Sequence, residues 1–284
     1  MLYSSFGTGH IGRYACGSLN MYPWNLEVSS LSDIQGLSYE VAVLPIGATE
    51  PHGMHLPYGT DAMHAPIVAE LACRQANENG ARTIRLPGMP YGVDANMREF
   101  PFAMNVRQDT VNMVVRDLID SLIYESESKH ALRKIVIVNG HGGNEFKSLV
   151  REYSARRDVF VSLIDWWTVA SDVAAEVFEN PGDHADEMET SVALHLFDRL
   201  VHTDRMGDGS VRETDFDAIN RGWVKISRPW HLLTNDSGCG DPRKGTAEKG
   251  ERYIRETVDR IVGFLKDLSD IPFDENFPYS RQMI

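Results

Sequence analysis

Short runs of aliphatic and β-branched residues recur along this chain, each followed by a longer segment with helical spacing. That alternation restricts the fold more than any other feature of the sequence. Val41–Ile46 and residues 83–86, 134–138 and 159–164 read as strands. Three of them are almost continuously apolar, which is the pattern of strands covered on both faces. Between and after them, residues 61–79 carry Ile67, Val68 and Leu71 on one face, with Thr60 or Asp61 as N-cap and Gly80 as the stop. Residues 110–126 carry Val111, Val114, Val115, Leu118 and Leu122, with Asp109 placed to cap them. Residues 144–157, 185–200 and 246–268 continue the helical pattern, the last with Ile254, Val258, Ile261 and Leu265 in register. Strand and helix in alternation predict an α/β fold: a single three-layer α/β/α domain over residues 1–284 with a mostly parallel central sheet. The stretches 89–101 and 207–245, rich in Gly, Pro, Asp and Asn, read as long loops, which in a compact domain either carry function or run over the surface.

Composition excludes several functions. With 28 basic and 41 acidic residues the net charge is −13, which argues against nucleic acid and anionic membranes, since both partners need positive charge on the protein. No run of 18 apolar residues suggests a membrane span. The N-terminal residues lack a basic start followed by an apolar block, so no signal peptide is expected. Cys16, Cys73 and Cys239 form neither a CxxC motif nor an even set, and a reducing cytoplasm is the expected compartment.

The chemistry is expected where ligands bind in sheets of this kind, at the carboxyl ends of the strands. After the first strand comes Gly47-Ala-Thr-Glu50-Pro-His52-Gly-Met-His55, then Asp61; after the third comes Asn139-Gly-His141-Gly-Gly-Asn144; after the fourth comes Asp165-Trp166-Trp167. Glu50, His52, Asp61 and His141 make a candidate ligand set for Zn, Mn or Fe, because imidazole with carboxylate suits these ions. A carboxylate such as Asp61 can bridge two of them. The glycine-rich turn around His141 is also compatible with a backbone anion cradle, although it lacks the spacing of the known phosphate loops. A second cluster, Asp183-His184-Ala-Asp186-Glu187-Met188-Glu189, opens a helix, where acidic residues are favoured anyway. Glu189, however, lies near the apolar face of Met188, Val192 and Leu196, and a carboxylate there needs a partner. Cys239, between two glycines, offers a rival thiol nucleophile without an identifiable base.

Four blocks in order, residues 44–61, 139–144, 184–191 and 240–250, resemble the creatininase (creatinine amidohydrolase) family. The resemblance implies one α/β/α domain with a metal site at the sheet edge, assembled as a homo-oligomer, commonly a hexamer. It implies hydrolysis of a C–N bond in a small cyclic amide, formamide or peptide-like substrate by a metal-bound hydroxide, with one or two divalent ions as cofactor. By position, Glu50, His52, Asp61 and His141 match family metal ligands, with Asp61 as the bridge. His184 matches the catalytic histidine, and Trp167 a substrate-lining tryptophan. Glu187 either orients His184 or faces solvent. The chain departs from the creatininases proper at Gly143, where they carry a metal-binding glutamate that Glu189 is expected to replace. It departs also at Asn180, where they carry a second pocket tryptophan, and at Pro51, where glutamine is commoner. These differences put creatinine itself in doubt as substrate. Gly143 leaves room for an alternative, a non-catalytic small-molecule-binding protein on a degenerate hydrolase fold.

Overall fold

Four strands, β1 (Val41–Ile46), β2 (Thr83–Arg85), β3 (Lys134–Asn139) and β4 (Phe160–Asp165), lie side by side in the order β2-β1-β3-β4. The computed structural model describes residues 23–124 and 132–279; Cys16 and the end of the helix expected over 110–126 fall outside them. All three strand pairs are parallel, with Val41 opposite both Thr83 and Lys134, and Lys134 opposite Phe160. The helices are α1 (Leu31–Ile34), α2 (Thr60–Glu78), α3 (Gln108–Tyr124), α4 (Lys147–Tyr153), α5 (Ser171–Val177), α6 (Glu187–Phe197), α7 (Asp217–Asn220), α8 (Trp230–Leu233) and α9 (Ala247–Asp270).

The strands alternate their side chains between two cores, as the period of two requires. Val41, Val43, Val136 and Val138 face α2 and α9, meeting Val68, Ala69 and Ala72 of the first and Ile254, Val258, Ile261 and Leu265 of the second. Ala42, Leu44, Ile46, Ile135 and Ile137 face the other way, onto Val111, Val115 and Ile119 of α3 and Leu149 of α4. The result is the expected three layers. Beyond α9, α6 docks closely: a Cβ on Gly250 would stand 2.0 Å from the Ser191 carbonyl oxygen, so only glycine permits this approach. The end of α9 is tied to the sheet by buried Lys134, whose Nζ donates to the carbonyls of Leu268 (2.7 Å) and Ile271 (2.6 Å). Those carbonyls have no partner within the helix. Among the described residues, no helix is long and apolar enough to cross a membrane.

Several boundaries differ from expectation, and side-chain hydrogen bonds explain one of them. Helix α2 is capped by Gly59, so Thr60 and Asp61 lie inside its first turn. Asp109 likewise lies within the first turn of α3. The helix expected over 144–157 shrinks to α4 because the Asn144 side chain is engaged elsewhere, accepting from Val93 N and donating to Asn139 Oδ1 and the Gly47 carbonyl. The 207–245 loop contains α7 and α8.

Candidate metal centre

The chain leaves β1 toward β2 through α2 on one face and leaves β3 toward β4 through α4 on the other, so winding reverses between β1 and β3. Loops diverge at such a switch point and open a crevice at the strand ends. The β1–α2 loop brings Glu50 and His52 there, the first turn of α2 brings Asp61, and the β3–α4 loop brings His141. All four are at least nine-tenths buried.

The orientation of each histidine is fixed from behind. His52 Nδ1 lies 3.0 Å from the Glu50 carbonyl, which can only accept, so Nδ1 carries the proton. His52 Nε2 then faces Asp61 Oδ1 at 3.0 Å. His141 Nε2 lies 3.0 Å from Asp94 Oδ1 and 3.1 Å from the Val93 carbonyl, while its Nδ1 faces Glu50 Oε1 (2.9 Å) and Asp61 Oδ2 (3.1 Å). Rear nitrogens held by an acceptor, with front nitrogens turned toward carboxylates, is the arrangement of metal-ligating histidines. Without a cation, a proton must occupy each front nitrogen. The electrostatics of the buried cluster point the same way. Burial opposes charging His52, yet Asp61, Glu189 and Glu50 together raise it to about 10. Burial likewise opposes charging His141, but Glu50, Asp61 and Asp94 raise it well above an ordinary histidine. Burial lifts the Glu50 carboxyl to about 7 against the pull of His141. Asp61 is buried too, but His52 and His141 hold it well below the usual carboxylate range.

Ligand atoms gather into three triads, each within 4.8 Å: Glu50–Asp61–His141, His52–Asp61–Glu189 and Glu50–His52–His184. Asp61 belongs to the first two, so its two oxygens can serve neighbouring cations. The donor set, carboxylate with imidazole, fits Zn, Mn or Fe. Glu189 reaches the cluster from the first turn of α6, where its Oε2 accepts from Ala185 N at 2.5 Å; burial lifts its carboxyl to about 8.

His184 stands beside the cluster. Its ring centroid is 4.2 Å from that of His52, its Nε2 donates to the Pro51 carbonyl (2.8 Å), and its Nδ1 lies 3.7 Å from Glu50 Oε1. Burial, aided by the charge on His52, lowers it to about 3, so the imidazole is neutral with its lone pair at Nδ1. Glu187 does neither of the things expected of it. Its side chain is fully buried, with Oε1 2.5 Å from Lys249 Nζ and Oε2 accepting from the backbone N–H groups of Glu179 (3.0 Å) and Asn180 (2.7 Å). Helical spacing places it on the face of α6 that meets α9, away from His184.

Trp167 packs against the core beneath α9, its carbonyl accepting from the Tyr253 hydroxyl (2.6 Å). The indole in ring contact with His184 is instead Trp230, at 5.0 Å and edge-on. Cys239 is half-buried and burial raises its thiol, which disfavours the thiolate a nucleophile needs. Its backbone pairs with that of His184. Gly143 cannot carry a side chain here, because a Cβ would stand 2.3 Å from His141 Nε2 and 2.4 Å from the Val93 carbonyl oxygen. Its lack of a carboxylate thus follows from how His141 is seated. Asp94, Trp230 and Ser237, which also border the site, could not be read from the sequence, beyond lying in the two long loops.

A buried cluster of carboxylates and imidazoles at the switch point of a doubly wound sheet defines the class: an α/β protein with a candidate two-cation centre. The profile of the creatinine amidohydrolases, the creatininase family, matches residues 29–265, and the chain belongs to that family. It is similar to a candidate creatinine amidohydrolase from Bacteroides fragilis NCTC 9343, a solved structure with TM-score 0.82 and 35% identity, covering 88% of this chain and 98% of that one. It is 28% identical over 231 residues to the mycofactocin precursor peptide peptidase of Mycobacterium ulcerans (strain Agy99), covering 78% of this chain and 82% of the relative. It is 28% identical over 188 residues to the creatinine amidohydrolase of Pseudomonas putida, covering 59% and 68%.

Proposed function

We propose that this protein is a metal-dependent amidohydrolase that cleaves a C–N bond in a small cyclic amide, formamide or peptide-like substrate. The observation that carries the proposal is the pair of histidines locked from behind and facing shared carboxylates, with Asp61 common to two triads. Glu50, Asp61 and His141 would hold one divalent ion; His52, Asp61 and Glu189 would hold the other, as Zn, Mn or Fe. Such ions lower the pKa of a water and polarise an amide carbonyl. The chain's own residues supply the proton traffic. His184 is neutral, and the Pro51 carbonyl holds its Nε2–H. Its bare Nδ1 therefore accepts the proton of an attacking water and returns it to the leaving nitrogen. Glu187 is given no part in this chemistry.

The alternative, a binding protein on a degenerate fold, rests on Gly143; the gathering of Glu189 with His52 and Asp61 supports the reading in which Glu189 replaces the missing carboxylate. The reading extends to one catalytic domain across residues 1–284, a cytoplasmic location, and a homo-oligomer such as the family's hexamer. The test is a screen of metal-replete protein against lactams, formamides and short peptides, scored by amine release, with a chelated control. Hydrolysis abolished by chelation and restored by Zn or Mn is expected; a metal-replete protein inert on the whole panel overturns the proposal.

A further inference from the structure

We infer that Ser237 is a positioning residue that locks His184 in the tautomer able to accept a proton at Nδ1; this rests on the amidohydrolase reading of His184. Ser237 lies 186 positions from Pro51 in sequence, yet its hydroxyl donates to the Pro51 carbonyl at 3.1 Å and accepts from Gly53 N at 2.9 Å. The same Pro51 carbonyl accepts from His184 Nε2 at 2.8 Å. A carbonyl oxygen has two lone pairs, so this one can take both donors. Pro51 sits between Glu50 and His52, so the serine grips the turn that presents both of these cluster side chains.

The serine itself is placed at some conformational expense. It is fully buried, with φ +71, a left-handed backbone that non-glycine residues rarely adopt. Its N–H donates to Thr234 Oγ1 at 2.9 Å. Such outliers concentrate where surrounding structure over-determines a functional geometry. Two residues on, Cys239 N donates to the His184 carbonyl (2.8 Å) and His184 N to the Cys239 carbonyl (3.2 Å). Trp230, from the same segment, lies edge-on to the imidazole. One stretch of chain therefore fixes the backbone of His184, one edge of its ring and, through Ser237, the acceptor of its Nε2–H. Removing the hydroxyl releases the Pro51–Gly53 turn from Gly53 N onward, so the Pro51 carbonyl can swing out of line with His184 Nε2. The imidazole then also populates the Nδ1–H form, which offers a donor to the cluster where the reaction needs an acceptor.

Ser237→Ala and Ser237→Gly, each labelled with ring-15N histidine, test this in chelator-stripped and zinc-loaded protein. In the wild type, His184 should show one protonated and one bare ring nitrogen. In both variants the two resonances should move toward each other, and kcat should fall about 10-fold or more with KM changed less than twofold, on the scale of losing an outer hydrogen-bond partner. The glycine variant relieves the left-handed backbone, so a loss that it shares with the alanine variant, at equal or higher Tm, belongs to the hydroxyl and not to strain. Ring nitrogens unchanged in both variants, or wild-type resonances restored by glycine, overturn the inference. Absence of any amidase activity in the wild type would remove the proposed function, while the ring resonances would still decide the role of Ser237.

Discussion

Loading the cluster with metal should expel protons, and their number follows from the geometry. In metal-free protein at pH 7, His52, raised to about 10, and His141, raised well above the ordinary range, are both imidazolium. Burial lifts the Glu189 and Glu50 carboxyls to about 8 and about 7, so both hold protons into the neutral range. Ligation requires every one of these groups in its deprotonated form. Uptake of two divalent ions at pH 7 should therefore release at least about two protons, one from each histidine with the carboxyls adding to them, and the combined affinity should weaken by roughly 10² or more for each unit of pH lowered near neutrality. Calorimetric titration of zinc into chelator-stripped protein, repeated in two buffers of different ionisation enthalpy, reads the proton count directly. His141→Ala should reduce it by about one. Release of less than one proton, or an affinity flat between pH 6 and 8, would refute the claim that protons occupy the places where cations bind.

Three further outcomes are expected. Metal-free protein should lose stability as pH rises: His52 is raised from its usual 6.5, so its contribution is complete below that value and gone as pH passes about 10, and the raised Glu50 and Glu189 act in the same direction above pH 4.5. Thermal melts should thus show Tm falling from pH 6 to 9 in stripped protein; a Tm that rises over this range contradicts the assignment. His184→Gln should keep its zinc, measured by elemental analysis, while kcat drops by about 10²–10⁴, the usual scale of a general acid–base group; unchanged turnover removes His184 from the reaction. Lys249→Met should destabilise by about 3 kcal/mol in urea melts, because it leaves the buried Glu187 carboxylate with only backbone donors, and should leave zinc content untouched; loss of zinc would place Glu187 in the metal centre after all.

How much was legible in advance depended on whether the signal was local. Val41–Ile46 and the strand at 134 were readable because burial on both faces demands an uninterrupted apolar run, and α9 because its apolar residues keep helical register over its length. Glu50, His52, Asp61 and His141 were readable as one candidate group because parallel strands all end on one edge of the sheet, so the polar residues just past β1 and β3 share that edge. Glu187 was misplaced because its neighbour in sequence, His184, points into the cluster while the helical turn carries Glu187 to Lys249. Asp94 and Ser237 were invisible, since each acts from an irregular loop whose path no periodicity encodes.

The sequence by itself determined the layered parallel fold and the residue types of the candidate metal cluster, because apolar periodicity and residue type are local properties of the chain. Only the tertiary structure decided which nitrogen of each histidine faces the centre, that Asp61 is shared between two triads, and that Trp230 is the indole against His184. The histidine orientations depend on hydrogen bonds between segments as much as 133 residues apart, and hydrogen-bond direction is set by where the backbone carbonyls end up once the layers have packed.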